Sequence, residues 1–119
     1  MSTQIIGDNL VVPGTATIGT ATISSLALPL TSTAVDYIAD VHDEFIEVTA
    51  TGKTVTLPAV ANVPIGKRYL IKLTAVGTST VAANGAETID GAGTFSITAR
   101  YKFVEVESNG TQWLIRGQN

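Results

Sequence analysis

The stretch Glu44-Phe45-Ile46-Glu47-Val48-Thr49-Ala50-Thr51-Gly52-Lys53-Thr54-Val55-Thr56-Leu57-Pro58 decides the class of this chain. Ile46 and Val48 alternate with Glu47 and Thr49, and beyond Thr51-Gly52 the alternation resumes with Val55 and Leu57 against Thr54 and Thr56. Successive side chains of extended backbone point to opposite faces, so a period of two is the mark of a strand with one buried face. Gly52 supplies the turn between the two runs, and Pro58, which has no amide hydrogen to give a ladder, closes the second.

The same period carries outward from this stretch. Tyr69, Ile71 and Leu73 alternate with Arg68 and Lys72, Val104 and Val106 with Glu105 and Glu107, and Trp113 and Ile115 with Gln112 and Arg116. Strands are predicted over 44–50, 53–57, 67–74, 78–82, 87–89, 94–98, 101–107 and 111–116, with Asn84-Gly85, Asp90-Gly91 and Asn109-Gly110 as further turns. The link from Pro58 to Pro64 should run outside the sheets. Residues 36–43 read as a helical turn or an irregular link with Tyr37, Ile38 and Val41 on one side. The 18 Thr, 12 Val and 11 Ile agree with strands throughout, since β-branched side chains favour extended backbone. The expected fold is all-β: an extended N-terminal arm, then a small antiparallel β-sandwich of jelly-roll-like kind.

Three regions follow along the 119 residues: an arm over 1–34, a link over 35–43 and a sandwich over 44–119. The arm holds an internal repeat, Gly14-Thr15-Ala16-Thr17-Ile18 followed by Gly19-Thr20-Ala21-Thr22-Ile23. Each short piece offers too little apolar area to offset the entropy of ordering it. Its large apolar residues Ile5, Ile6, Leu10, Val11, Val12, Ile18, Ile23, Leu26 and Leu28 nevertheless call for burial, and other copies of the same chain are the simplest cover. Cutting away residues 1–34 should then leave a folded core that associates weakly.

Charge is uneven. Residues 1–52 carry six acids and no Lys or Arg, whereas residues 53–119 carry all seven bases and four acids. Asp36, Asp40, Asp43 and Glu44 are therefore candidates for contact with a basic surface, which Lys67, Arg68 and Lys72 of the chain itself could equally provide. A net charge of −3 argues against a nucleic-acid partner, and no apolar run reaches the roughly 18–20 residues of a membrane span. Met1-Ser2-Thr3-Gln4 lacks the basic start of a signal peptide.

Chemistry is hard to assemble from these residues. Without Cys there is no thiolate nucleophile or thiolate-bound metal, and the single histidine, His42, stands in an acidic link with no GxSxG or phosphate-loop motif elsewhere. Asp40, His42, Asp43 and Glu44 could be read as ligands of a divalent cation, but a solvated surface explains them as well. Glu105 and Glu107 share one strand face and read as solvated, and Tyr101 and Phe103 fall on that face, exposed or at an interface. No enzyme, cofactor or metal is expected.

One resemblance stands out. Thr54-Val55-Thr56-Leu57-Pro58, Ile65-Gly66-Lys67-Arg68-Tyr69-Leu70-Ile71-Lys72, Glu87-Thr88-Ile89-Asp90-Gly91 and Ser108-Asn109-Gly110-Thr111-Gln112-Trp113 resemble the small β-sandwich modules of tailed-bacteriophage virion proteins. The arm is similar to the extended trimeric β segments of the same proteins. The resemblance implies a homotrimer in the virion, either a decoration (cement) protein bound to the major capsid protein on the head surface or a tail-fibre module for host attachment. The short chain, with Met1 opening directly into the arm, favours the cement protein.

Overall fold

A computed structural model describes residues 14, 15, 17, 19, 20, 22, 24, 25 and 27–119 of the chain. Nine strands are found there: β1 (Leu30–Thr33), β2 (Tyr37–Ile38), β3 (Phe45–Val48), β4 (Thr54–Thr56), β5 (Arg68–Leu73), β6 (Ser79–Ala82), β7 (Thr94–Ile97), β8 (Phe103–Ser108) and β9 (Trp113–Gln118). The link after Pro58 carries a short 3-10 turn, Val60–Asn62, outside both sheets as its prolines require.

The strands form two sheets, ordered β1-β3-β5-β8-β9 and β2-β4-β6-β7. Successive strands from β1 to β6 therefore change sheet at every step. The chain runs through three stacked passes, in which β1, β3 and β5 are parallel in one sheet and β2, β4 and β6 are parallel in the other. Parallel neighbours need a crossover, and here the strand of the opposite sheet serves where an α-helix usually does. Only the last third reverses: β7 runs antiparallel to β6, and β8 and β9 continue the first sheet as antiparallel strands.

The fold is thus all-β and sandwich-like, and its mixed sheets correct the expectation of an antiparallel, jelly-roll-like arrangement. The correction comes from the corners. Thr51-Gly52 is not a hairpin turn but the bend between sheets, and it stacks on the corresponding bend of the next pass. The Gly52 amide donates to the Thr78 carbonyl at 2.7 Å and the Thr78 amide to Thr51 Oγ1 at 3.2 Å. Gly77 lies at φ +123° in that bend, and a Cβ there would collide with the Thr51 side chain. Asn109-Gly110, by contrast, is a true hairpin between β8 and β9, with Asn109 Oδ1 accepting from the amides of Thr111 and Gln112.

Two strands lie where none was expected. β1 falls inside the supposed arm and β2 inside the supposed helical turn. β2 is too short for a period to show in sequence, and β1 (Leu-Thr-Ser-Thr) offers one large apolar residue. A cut at residue 34 would remove a paired strand, so a truncation that spares the sheet ends at residue 26.

The core lies between the sheets and follows the period-two reading closely. Ile46, Val48, Val55, Leu57, Tyr69, Ile71, Leu73, Val104, Val106 and Trp113 are all buried, and Ile115 is half-buried against them. Trp113 is the largest wholly enclosed side chain; its ring meets Tyr69 edge-on at 5.4 Å, while its backbone bonds Thr88 and Asp90. We expect Trp113→Ala to lose about 3–5 kcal/mol, read as a lowered urea midpoint; a midpoint within error of the parent would show that the indole does not organise the core.

Candidate functional site

The outer face of the five-stranded sheet departs from the polar pattern that solvent would favour. Register brings Leu30, Phe45, Leu70 and Glu105 into one row across β1, β3, β5 and β8. Because Ile46, Ile71 and Val104 of the next row point inward, this row points outward. Leu30 is 63% exposed, Phe45 38%, and Leu28, just before the sheet, 62%. Together with Leu70 they floor a groove of about 580 Å³ whose rim carries Glu44, Glu47, Arg68, Thr74 and Glu105. That volume lies within the roughly 300–1,000 Å³ of ordinary binding pockets.

The rim charges are already engaged. Glu44 pairs with Lys67 at 2.9 Å, and Arg68 pairs with Glu107 at 2.8 Å. Arg116 joins Glu105 at 3.0 Å and Glu107 at 3.1 Å, while the Glu47 carboxylate accepts from the hydroxyls of Ser32 and Thr74. Those two hydroxyl bonds hold the half-buried Glu47 carboxyl below its ordinary range. An apolar floor inside a rim whose acids and arginine are already paired or hydrogen-bonded suits an uncharged occupant, since a charged one would be desolvated or would have to break a pair.

Behind one end of the groove, Asp43 organises the first pass. Its carboxylate accepts from Thr31 Oγ1 (2.7 Å), Tyr37 Oη (2.6 Å) and the Asp40 amide (2.8 Å), while Lys67 Nζ donates to its carbonyl (2.6 Å). Tyr69 Oη completes the cluster by donating to the Asp40 carbonyl. Burial pushes the Asp43 carboxyl up, but Thr31, Tyr37, the Asp40 amide and the Lys67 ammonium more than offset this and hold it below the usual aspartate range. The same bond, seen from its donor, raises Tyr37 to about 12. Burial foremost, then the nearby carboxylates, also pushes Tyr69 up.

The charged residues singled out in the sequence thus meet only in part. Lys67 reaches Glu44 and the Asp43 carbonyl, but Arg68 turns to Glu107, and Lys72 lies opposite Glu47 in register with no ion pair among the described residues. Asp36 caps the Thr54 amide, and Asp40 accepts from the His42 amide and lies 3.0 Å from its Nδ1. Of the apolar arm residues, Leu28 lines the groove, whereas Ile5, Ile6, Leu10, Val11, Val12, Ile18, Ile23 and Leu26 lie outside the described residues. Tyr101 is exposed in the turn before β8 at φ +67°, with Arg100 stacked on its ring, and Phe103 is half-buried. Among the described residues no three His, Asp or Glu side chains are placed to hold a metal ion, and no helix is long and apolar enough to cross a membrane.

The groove was missed from sequence although its signal is there. Phe45 and Leu70 occupy the outward positions of strands whose inward positions were already filled by Ile46, Val48, Tyr69 and Ile71. A large apolar residue on both faces of neighbouring strands marks a second buried or covered face. Comparison with protein-family models and with curated proteins finds no match to this chain.

The depressed Asp43 carboxyl makes an acid-side prediction. A group whose folded pKa is lowered adds stability above its unfolded value, near 3.9, and that stability fades as pH falls through the lower folded value. Urea unfolding from pH 7 to pH 3 should therefore show the parent weakening in the acid range. Asp43→Asn should be less stable by about 1–3 kcal/mol at neutral pH and flatter below pH 4; parallel curves for the two proteins would remove Asp43 from this role.

Proposed function

We propose that this chain is a capsid decoration protein of a tailed bacteriophage. It acts as a homotrimer that binds the major capsid protein on the head surface, stabilises the shell and carries out no reaction. The observation that carries this reading is the apolar outer row Leu30-Phe45-Leu70, which runs from the edge strand to the middle strand of the sheet with Leu28 beside it, in a chain whose preceding arm sequence is rich in large apolar residues. Exposed apolar surface of this kind, rimmed by charge, is the usual mark of a protein-protein contact. The resemblance of 44–117 to virion β-sandwich modules supplies the class of partner. Three copies joined in one trimer would present several capsid-facing surfaces at once, so that individually weak contacts gain through high effective concentration.

Quantifying the protein in purified virions tests this directly. A copy number close to that of the capsid lattice is expected, and particles lacking the protein should assemble but burst at lower temperature than complete ones. A few copies per particle, with depleted particles equally robust but unable to adsorb to cells, would instead establish a tail-fibre role.

A further inference from the structure

We infer that the groove over Leu30, Phe45 and Leu70 is the seat for residues 9–13 of the arm of a second copy of this chain, so that subunits of the assembly exchange arms. The inference rests on the oligomeric reading above and names the surface and the segment that hold the oligomer together.

Charge gives the first argument. The groove rim has its acids and its arginine already paired or hydrogen-bonded, around an apolar floor. From Asn9 to Val35 the chain contains no charged residue at all, so the arm is the uncharged occupant such a groove would accept. Within it, Leu10-Val11-Val12 is the densest large apolar run, and in extended backbone Leu10 and Val12, two apart, fall on one face. Pro13 follows and cannot extend a backbone ladder.

Reach and direction give the second. Leu28 and Leu30 of the same chain form one end of the groove floor, with Pro29 between them, so residues 9–13 of that chain would have to double back over their own continuation. From Val12 to Leu28 a fully extended chain spans roughly 53–58 Å, long enough to carry residues 9–13 away from their own sheet. A neighbouring copy's groove is within range.

The absence of cysteine makes the test specific. Full-length Val12→Cys and Leu70→Cys are mixed, allowed to reassemble and mildly oxidised, with Ile65→Cys, exposed and outside the groove lining, in place of Leu70→Cys as control. The expected product is a two-chain species in which peptide mapping joins position 12 of one chain to position 70 of the other. Leu70→Glu should raise the concentration at which the assembly dissociates by at least about tenfold while keeping the parent's melting behaviour at high dilution. Linkage only within one chain of the Val12→Cys/Leu70→Cys double variant would assign the groove to the chain's own arm. Linkage only between two copies of position 70 would indicate face-to-face packing, and either result overturns the inference. A trimer that occupies capsids without a 12–70 linkage also overturns it while leaving the decoration role standing. A 12–70 linkage in protein that does not bind capsids upholds the exchange and overturns the decoration role.

Discussion

Three passes of chain in parallel register are the constraint on which everything else in this molecule rests. Each pass contributes one strand to each sheet, and the backbone of each is satisfied by the pass beside it. The bends between sheets must stack as well as the strands, which is why Gly77 leaves room for Thr51 and why the Thr49 and Thr74 amides donate to the carbonyls of Thr33 and Val48 on neighbouring passes. Antiparallel strands β7 to β9 then end the stacking at the C-terminal side, with the Tyr69–Trp113 contact tying the last strand to β5.

The first pass is the weakly buried one, and its polar contacts follow from that. Leu30, Val35 and Ile38 are mostly exposed, so β1 and β2 gain little from hydrophobic burial. Carboxylates hold them instead: Asp43 and Glu47 of the following segment bind Thr31, Tyr37 and Ser32, and the first pass's own Asp36 accepts from the Thr54 amide of β4. This explains an acidic region with no lysine or arginine of its own. Its charges are stabilised chiefly by hydroxyls and amides, which a reading based on charge alone does not count, and Lys67 is the one cation of the three candidates that joins them.

Alternation made the inner faces of β3, β5, β8 and β9 legible because a period of two over four to six residues leaves little freedom in which side is buried. Sheet membership was not legible. A glycine turn between two amphipathic runs looks the same whether the second run folds back beside the first or crosses to the opposite sheet, and Thr51-Gly52 does the latter. Tyr101 shows the same limit on a smaller scale: the residues 101–107 read as one strand, but Tyr101 sits at positive φ and donates its amide to the Leu73 carbonyl, so the strand begins at Phe103. For the groove, the residue types were visible and their adjacency was not. Leu30, Phe45 and Leu70 are separated by 15 and 25 positions, and only the parallel register makes them neighbours.

That register also links the stability of the fold to what it can bind. A row of apolar side chains across parallel strands is flat and continuous, unlike the scattered apolar residues that any surface carries. Charges close to such a row would make its cover expensive if they had to be stripped of water unpaired. Here they are paired sideways along the sheet, Arg68 to Glu107 and Arg116 to Glu105 and Glu107, and Glu44 is drawn toward Lys67. The network therefore does more than decorate the sheet: it removes unmet charge from the rim, so that an extended, uncharged segment can lie over Leu30, Phe45 and Leu70 at little electrostatic cost. A segment carrying Lys or Asp at the same place would have to break a pair or remain unpaired itself. The sideways pairing thus keeps the acids and the arginine of the rim engaged with their neighbours, and the parallel passes give the groove its shape.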